Sequence, residues 1–106
     1  MKAAHPDCRL PRIRIRTGRC YELAFRGASR APRWSVVHGH IVCDGVRIAH
    51  AWLLNGGEVF CPTYDRTFGE AEYLAIHGGV PTVTYTLLEA NRLLCLHGHY
   101  GPWHKS

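Results

Sequence analysis

Polar and hydrophobic positions change their repeat several times along the chain. The run Arg12-Ile13-Arg14-Ile15-Arg16 alternates strictly. That period predicts a short edge strand, with arginines on its open face to discourage edge pairing. Residues 1–11 hold two prolines and read as a loose lead, so residues 12–106 form the single domain. Thr17 is placed to cap a helix, which puts Cys20 in the first turn. Cys20, Leu23, Ala24, Gly27 and Ala28 then share one helical face, and Pro32 ends the run.

A period of two returns at Ser35–Cys43 and Val46–Leu54, which flank Asp44-Gly45. Asp-Gly between alternating runs is the strongest short hairpin signal. A second turn at Asn55-Gly56-Gly57 leads into a strand over 58–63, giving three antiparallel strands. Thr67 with Glu70 has the spacing of a capping box, predicting a short helix to Ile76 that His77-Gly78-Gly79 breaks. A strand follows over 82–85. Thr86 with Glu89 is a second capping box, opening a helix that stops at Gly98.

The first turn also fixes a register. Cys43 should pair with Val46, Ile41 with Ile48, and Gly39 with His50. Val37, Gly39, Ile41, Cys43, Val46, Ile48, His50 and Trp52 then share the face expected to be the core. The helix beginning near Cys20 is expected to cover it. The second turn centres on Asn55-Gly56 or on Gly56-Gly57. In both cases Cys61 stays on the face of His50, roughly 5–8 Å away.

Composition narrows the class. With 106 residues, 46% of them hydrophobic and 20% charged, the chain makes one compact domain. It offers no apolar run long enough for a membrane helix and no secretory signal pattern. The five cysteines contain no CxxC pair, which favours reduced thiols and a cytoplasmic location. Charge is uneven. Residues 1–33 carry one Lys and eight Arg against two acids, a balance of +7, whereas residues 34–106 balance at −2. Such an arm is either a solvated segment or a contact for an acidic protein or nucleic acid, through Arg12, Arg14, Arg16 and Arg19. No helix-turn-helix or zinc-finger spacing accompanies it.

A cysteine at a helix N-terminus facing a histidine on a central strand is the arrangement of a thiol nucleophile. The dipole favours thiolate, and the imidazole takes the thiol proton. The order Cys20-Tyr21, then Val37-His38-Gly39, His50-Ala51-Trp52 and Cys61-Pro62-Thr63 also resembles the transglutaminase-like branch of the papain-like cysteine enzymes. The resemblance covers residues 20–63. It implies a small papain-like α+β domain, with an antiparallel sheet packed on a Cys-bearing helix plus a C-terminal helix. It further implies acyl transfer on an amide of a protein or peptide, by a protease, deamidase or transglutaminase-like reaction. Cys20 would be the nucleophile and His50 the base, with Tyr21, Trp52 and Cys61 around them. The family carries Asp before Pro-Thr, where this chain has Cys61, so Asp65 is the candidate for the third group. The alternative is a catalytically degenerate binding protein on the same fold. Its basic N-terminal region would dock a host factor, as a small phage or mobile-element protein does.

Neither reading calls for a cofactor. His38-Gly39-His40 and the Cys95, His97, His99 run resemble metal-ligand clusters. The first pair lies on the strand face away from His50, and the second run straddles a helix end, so neither predicts a metal site.

Overall fold

The computed structural model describes residues 10–62, 64 and 66–103, and their side chains from residue 19 onward. Three helices and five strands follow in the order α1 (Leu10–Arg30), β1 (Ser35–Cys43), β2 (Val46–Asn55), β3 (Glu58–Cys61), β4 (Arg66–Gly69), α2 (Glu70–His77), β5 (Val80–Tyr85) and α3 (Leu87–His97). The strands make one antiparallel sheet in the order β4-β3-β2-β1-β5. The chain is therefore a small α+β domain.

The β1–β2 hairpin has the register its turn dictates. Cys43 pairs with Val46, Ile41 with Ile48 and Gly39 with His50. Asp44 and Gly45 have φ of 52° and 78°, the left-handed pair that a two-residue hairpin requires. The next turn is centred on Gly56-Gly57, because Asn55 pairs with Glu58 and Leu54 with Val59.

Residues 12–16 form no edge strand. They belong to α1, a helix of 21 residues. Pro11 sits in its first turn, where a missing N–H costs nothing. Arginine is a good helix former, and the isolated alternating run finds no strand to pair with. Thr17 is interior to this helix rather than its cap, so Cys20 lies midway along it. Thr67 likewise caps nothing. It pairs with Phe60 in β4, and α2 opens at Gly69 without a side-chain cap. The Thr86–Glu89 capping box forms in full, with Glu89 N–H donating to Thr86 Oγ1 at 3.1 Å and Thr86 N–H to Glu89 Oε1 at 2.9 Å.

Both faces of the central strands are buried. Cys20, Tyr21, Ala24, Phe25 and Ala28 of α1 pack with Val36, Ala51 and Leu53, and with Tyr85, Ala90 and Trp103. On the other face Val37, Ile41, Cys43, Trp52, Val59 and Cys61 pack with Tyr64, Phe68 and Tyr73. Helix α1 therefore covers the face opposite the one expected. Its small residues need small partners, which Ala49 and Ala51 supply. Their fit is close: a Cβ added at Gly27 would lie 2.7 Å from Leu53 Cδ1. The bulkier Trp52 face takes aromatic cover from α2 and β4 instead, with the Trp52 and Tyr73 rings 5.3 Å apart.

Candidate functional site

The hairpin register carries His50 to Cys61, as expected. His50 Nε2 lies 3.3 Å from Cys61 Sγ. Tyr73 of α2 donates its hydroxyl hydrogen to the same sulfur at 3.4 Å. Trp52 flanks the group, its ring 6.1 Å from that of His50. A neutral chain satisfies all three polar groups: Tyr73 O–H to Cys61 sulfur, and Cys61 S–H to His50 Nε2. Burial favours this neutral form. His50 is 1% exposed and Cys61 has no exposed surface. Desolvation, with a smaller repulsion from His77, lowers the His50 imidazole to about 3. Burial also pushes the Tyr73 phenol well above its ordinary value.

Cys20 does not join this group. It packs with Ala51 and Leu53, on the opposite side of β2 from His50 and Trp52. Midway along α1 it gains nothing from the helix terminus, and burial pushes its thiol up to about 12. A thiolate–imidazolium pair needs a low thiol and a higher imidazole; these two residues have the reverse order. Tyr21, beside Cys20 in the helix, is 4% exposed and packs edge-on against His38 with ring centres 4.6 Å apart. Asp65 lies outside the described residues.

Cys20 and Cys61 are buried thiols and Cys95 is an exposed one. No helix among the described residues is long and apolar enough to cross a membrane.

The basic residues are rearranged as well. An alternating strand would show Arg12, Arg14 and Arg16 on one side. In a helix each residue turns the chain by about 100°, so Arg12 and Arg30 lie five turns apart on one line, and Arg16, Arg19 and Arg26 fall within about 40° of it. The core-facing residues Cys20, Ala24, Ala28, Tyr21 and Phe25 spread over about 80–220° from that line, so it runs along the side of α1 turned from the sheet. Arg19, Arg26 and Arg30 are exposed there. Arg26 Nε donates to Glu22 Oε2 at 2.8 Å, one helical turn away. Arg26 and Arg30 belong to the same helix as Arg12, Arg16 and Arg19, not to a separate element. Helical phase, followed from residue 12 through residue 30, would have revealed it.

Comparison with protein-family models, curated proteins and solved structures returns no match.

Proposed function

We propose that the chain is a binding module that engages nucleic acid through the arginine line of α1. One observation carries the reading: Arg19, Arg26 and Arg30 are exposed on one side of a helix whose other side packs on the sheet. These three span about 17 Å at 1.5 Å per residue, and the helix contains no lysine. Guanidinium forks match phosphate oxygens bidentately and remain charged at every physiological pH.

The test is fluorescence anisotropy of labelled mixed-sequence oligonucleotides at 50 mM salt, with polyglutamate of equal charge as competitor. Binding should be lost in the Arg19→Glu/Arg30→Glu variant, and polyglutamate should compete poorly. No binding by the unaltered protein would overturn the reading. Competition by polyglutamate at equal charge would transfer the function to an acidic protein partner.

A second reading is the papain-like, transglutaminase-like fold with acyl-transfer chemistry. It has one observation in its favour, a thiol–imidazole contact of 3.3 Å, although the thiol is Cys61. That sulfur has no exposed surface and its imidazole is held neutral, so α2 would have to lift before a substrate reached it.

A further inference from the structure

We propose that α2 is an acid-released latch: protonation of His50 beneath it detaches this helix from the sheet and uncovers Trp52 and the Cys61 thiol, while the β1–β2 hairpin and the α1 face stay closed. The proposal is independent of the nucleic-acid reading.

The first ground is how α2 is attached. Its buried residues are Tyr73 and His77, four positions apart and so on one face, with Leu74 half-buried beside them. Ala71, Glu72, Ala75 and Ile76 are exposed. Tyr73 bonds the Cys61 sulfur of β3, and its ring lies 5.3 Å from Trp52 and 5.1 Å from Phe68. His77 stacks on Tyr64 at 4.8 Å and meets Phe68 edge-on at 5.5 Å. An aliphatic attachment would be indifferent to pH, whereas this one runs through a hydrogen-bonded chain that ends on an imidazole. The helix lies between Gly69 and Gly78-Gly79, so the chain can turn at both of its ends.

The second ground is what a proton does beneath it. In the neutral chain Tyr73 donates to Cys61, and the Cys61 S–H donates to His50 Nε2. A proton on Nε2 removes that acceptor and leaves three donors around one sulfur. The groups facing His50 are Cys61 from β3, Tyr73 and His77 from α2, Gly39 across from it on β1, and Trp52 on its own strand. None of these is an anion when the chain is neutral, and His77 repels an imidazolium. The carboxylates of α2, Glu70 and Glu72, lie in its first turn, half-buried and exposed, and Glu70 N–H bonds the Gly57 carbonyl at 2.8 Å. From β4 the charged group is Arg66, over the Phe68 ring at 5.5 Å. The charge is therefore relieved by water, and α2 is the cover that must move to admit it.

The third ground is what holds the rest. β1 and β2 share nine residue pairs, and α1 packs Cys20, Ala24 and Ala28 against Ala51 and Leu53 on the other side of the sheet. Cys20 and Cys61 both have no exposed surface. They lie in the two opposite core layers, so each thiol reports on one layer.

The size of the effect follows from His50. Burial lowers the covered ring from 6.5 to about 3, and release returns it to 6.5 in water. Below 6.5 the open form takes up a proton and the closed form refuses it, so opening grows as pH falls. The open population rises about four-fold from pH 7.5 to 6 and about 30-fold from pH 7.5 to 5.

The experiment treats the full chain with dithiodipyridine, a disulfide that exchanges with thiols at acid pH, and locates the modified cysteines by mass spectrometry. Each rate is divided by that of the same cysteine in the unfolded chain at the same pH. The Cys61 rate should rise about 30-fold from pH 7.5 to 5 and exceed that of Cys20 by at least about ten-fold at pH 5. Urea below the unfolding midpoint should speed Cys20 steeply and Cys61 little, because releasing one short helix exposes little surface. His50→Gln should cut the pH step below about ten-fold. Tyr73→Phe, which keeps the ring and removes the hydroxyl, should raise the Cys61 rate already at pH 7.5. Circular dichroism confirms that the variants fold, and the urea comparison needs no variant. Equal Cys61 and Cys20 rates with the same urea dependence would overturn the latch, because the whole fold would then be opening. A Cys61 rate without a pH step, or a step still near 30-fold in His50→Gln, would also overturn it.

Discussion

Acid should destabilise this fold through a single buried imidazole. His50 is 1% exposed, and burial lowers its folded value from 6.5 to about 3. Above pH 6.5 the ring is neutral in both the folded and unfolded chain, so it contributes no pH dependence. Below 6.5 the unfolded chain takes up a proton and the folded chain refuses it, so stability falls as pH falls. The loss runs at about 1.4 kcal/mol per pH unit until the folded value is approached. Between pH 7 and pH 5 it amounts to about 2 kcal/mol, a large share of the 5–15 kcal/mol typical of a domain. Urea unfolding followed by tryptophan fluorescence at pH 7.5, 6 and 5 measures it. His50→Gln retains an amide that can meet Cys61 but cannot titrate in this range. The other histidines are common to both proteins, so the difference between their pH profiles isolates residue 50. The variant should lose less stability than the parent over this interval, by about 2 kcal/mol. Parallel profiles would show that His50 takes up its proton in the folded state as readily as in water, and would refute the neutral Tyr73–Cys61–His50 chain.

Thiol labelling and one glycine substitution provide two further checks. Iodoacetamide at pH 7 should modify exposed Cys95 first and leave Cys20 and Cys61 protected until the fold opens, as counted by mass spectrometry; rapid loss of Cys20 would contradict its burial and its raised thiol. Gly39→Ala should cost about 1–3 kcal/mol in a urea melt, because its Cβ would overlap the Val80 carbonyl oxygen and lie 3.1 Å from Trp52 Cη2; an unchanged midpoint would mean that β5 is not held this closely.

The parts of the fold visible in the sequence are those decided by neighbours in the chain. Asp44-Gly45 dictates a turn because only left-handed backbone closes it, and nine residue pairs follow from that turn. Thr86 and Glu89 bond reciprocally across three residues, so their helix start is local too. Thr67 and Glu70 carry the same signature but enter a strand, because β3 offers Thr67 a partner in Phe60. The run 12–16 fails in the opposite sense. Its alternation suits a strand, yet its backbone belongs to the same helix that carries Cys20 to Ala28.

The candidate site divides along the same boundary. That His50 would meet Cys61 follows from two tight turns, and the 3.3 Å contact fulfils it. That Cys20 would meet His50 required knowing which face of the sheet α1 covers, and no local signal decides that. Face choice is a matter of volume. Cys20, Ala24, Gly27 and Ala28 make a flat, close-packing helix surface, and Ala49 and Ala51 make the matching flat strip on β2. The face of His50 carries Ile41 and Trp52, too uneven for a small-residue helix, and Tyr73, Phe68 and Tyr64 fill it instead. The volumes that exclude α1 from that face also bring Tyr73 to the Cys61 sulfur, supplying the buried polar chain with its donor. With Cys20 committed to packing, the exposed side of α1 is the one that carries Arg19, Arg26 and Arg30.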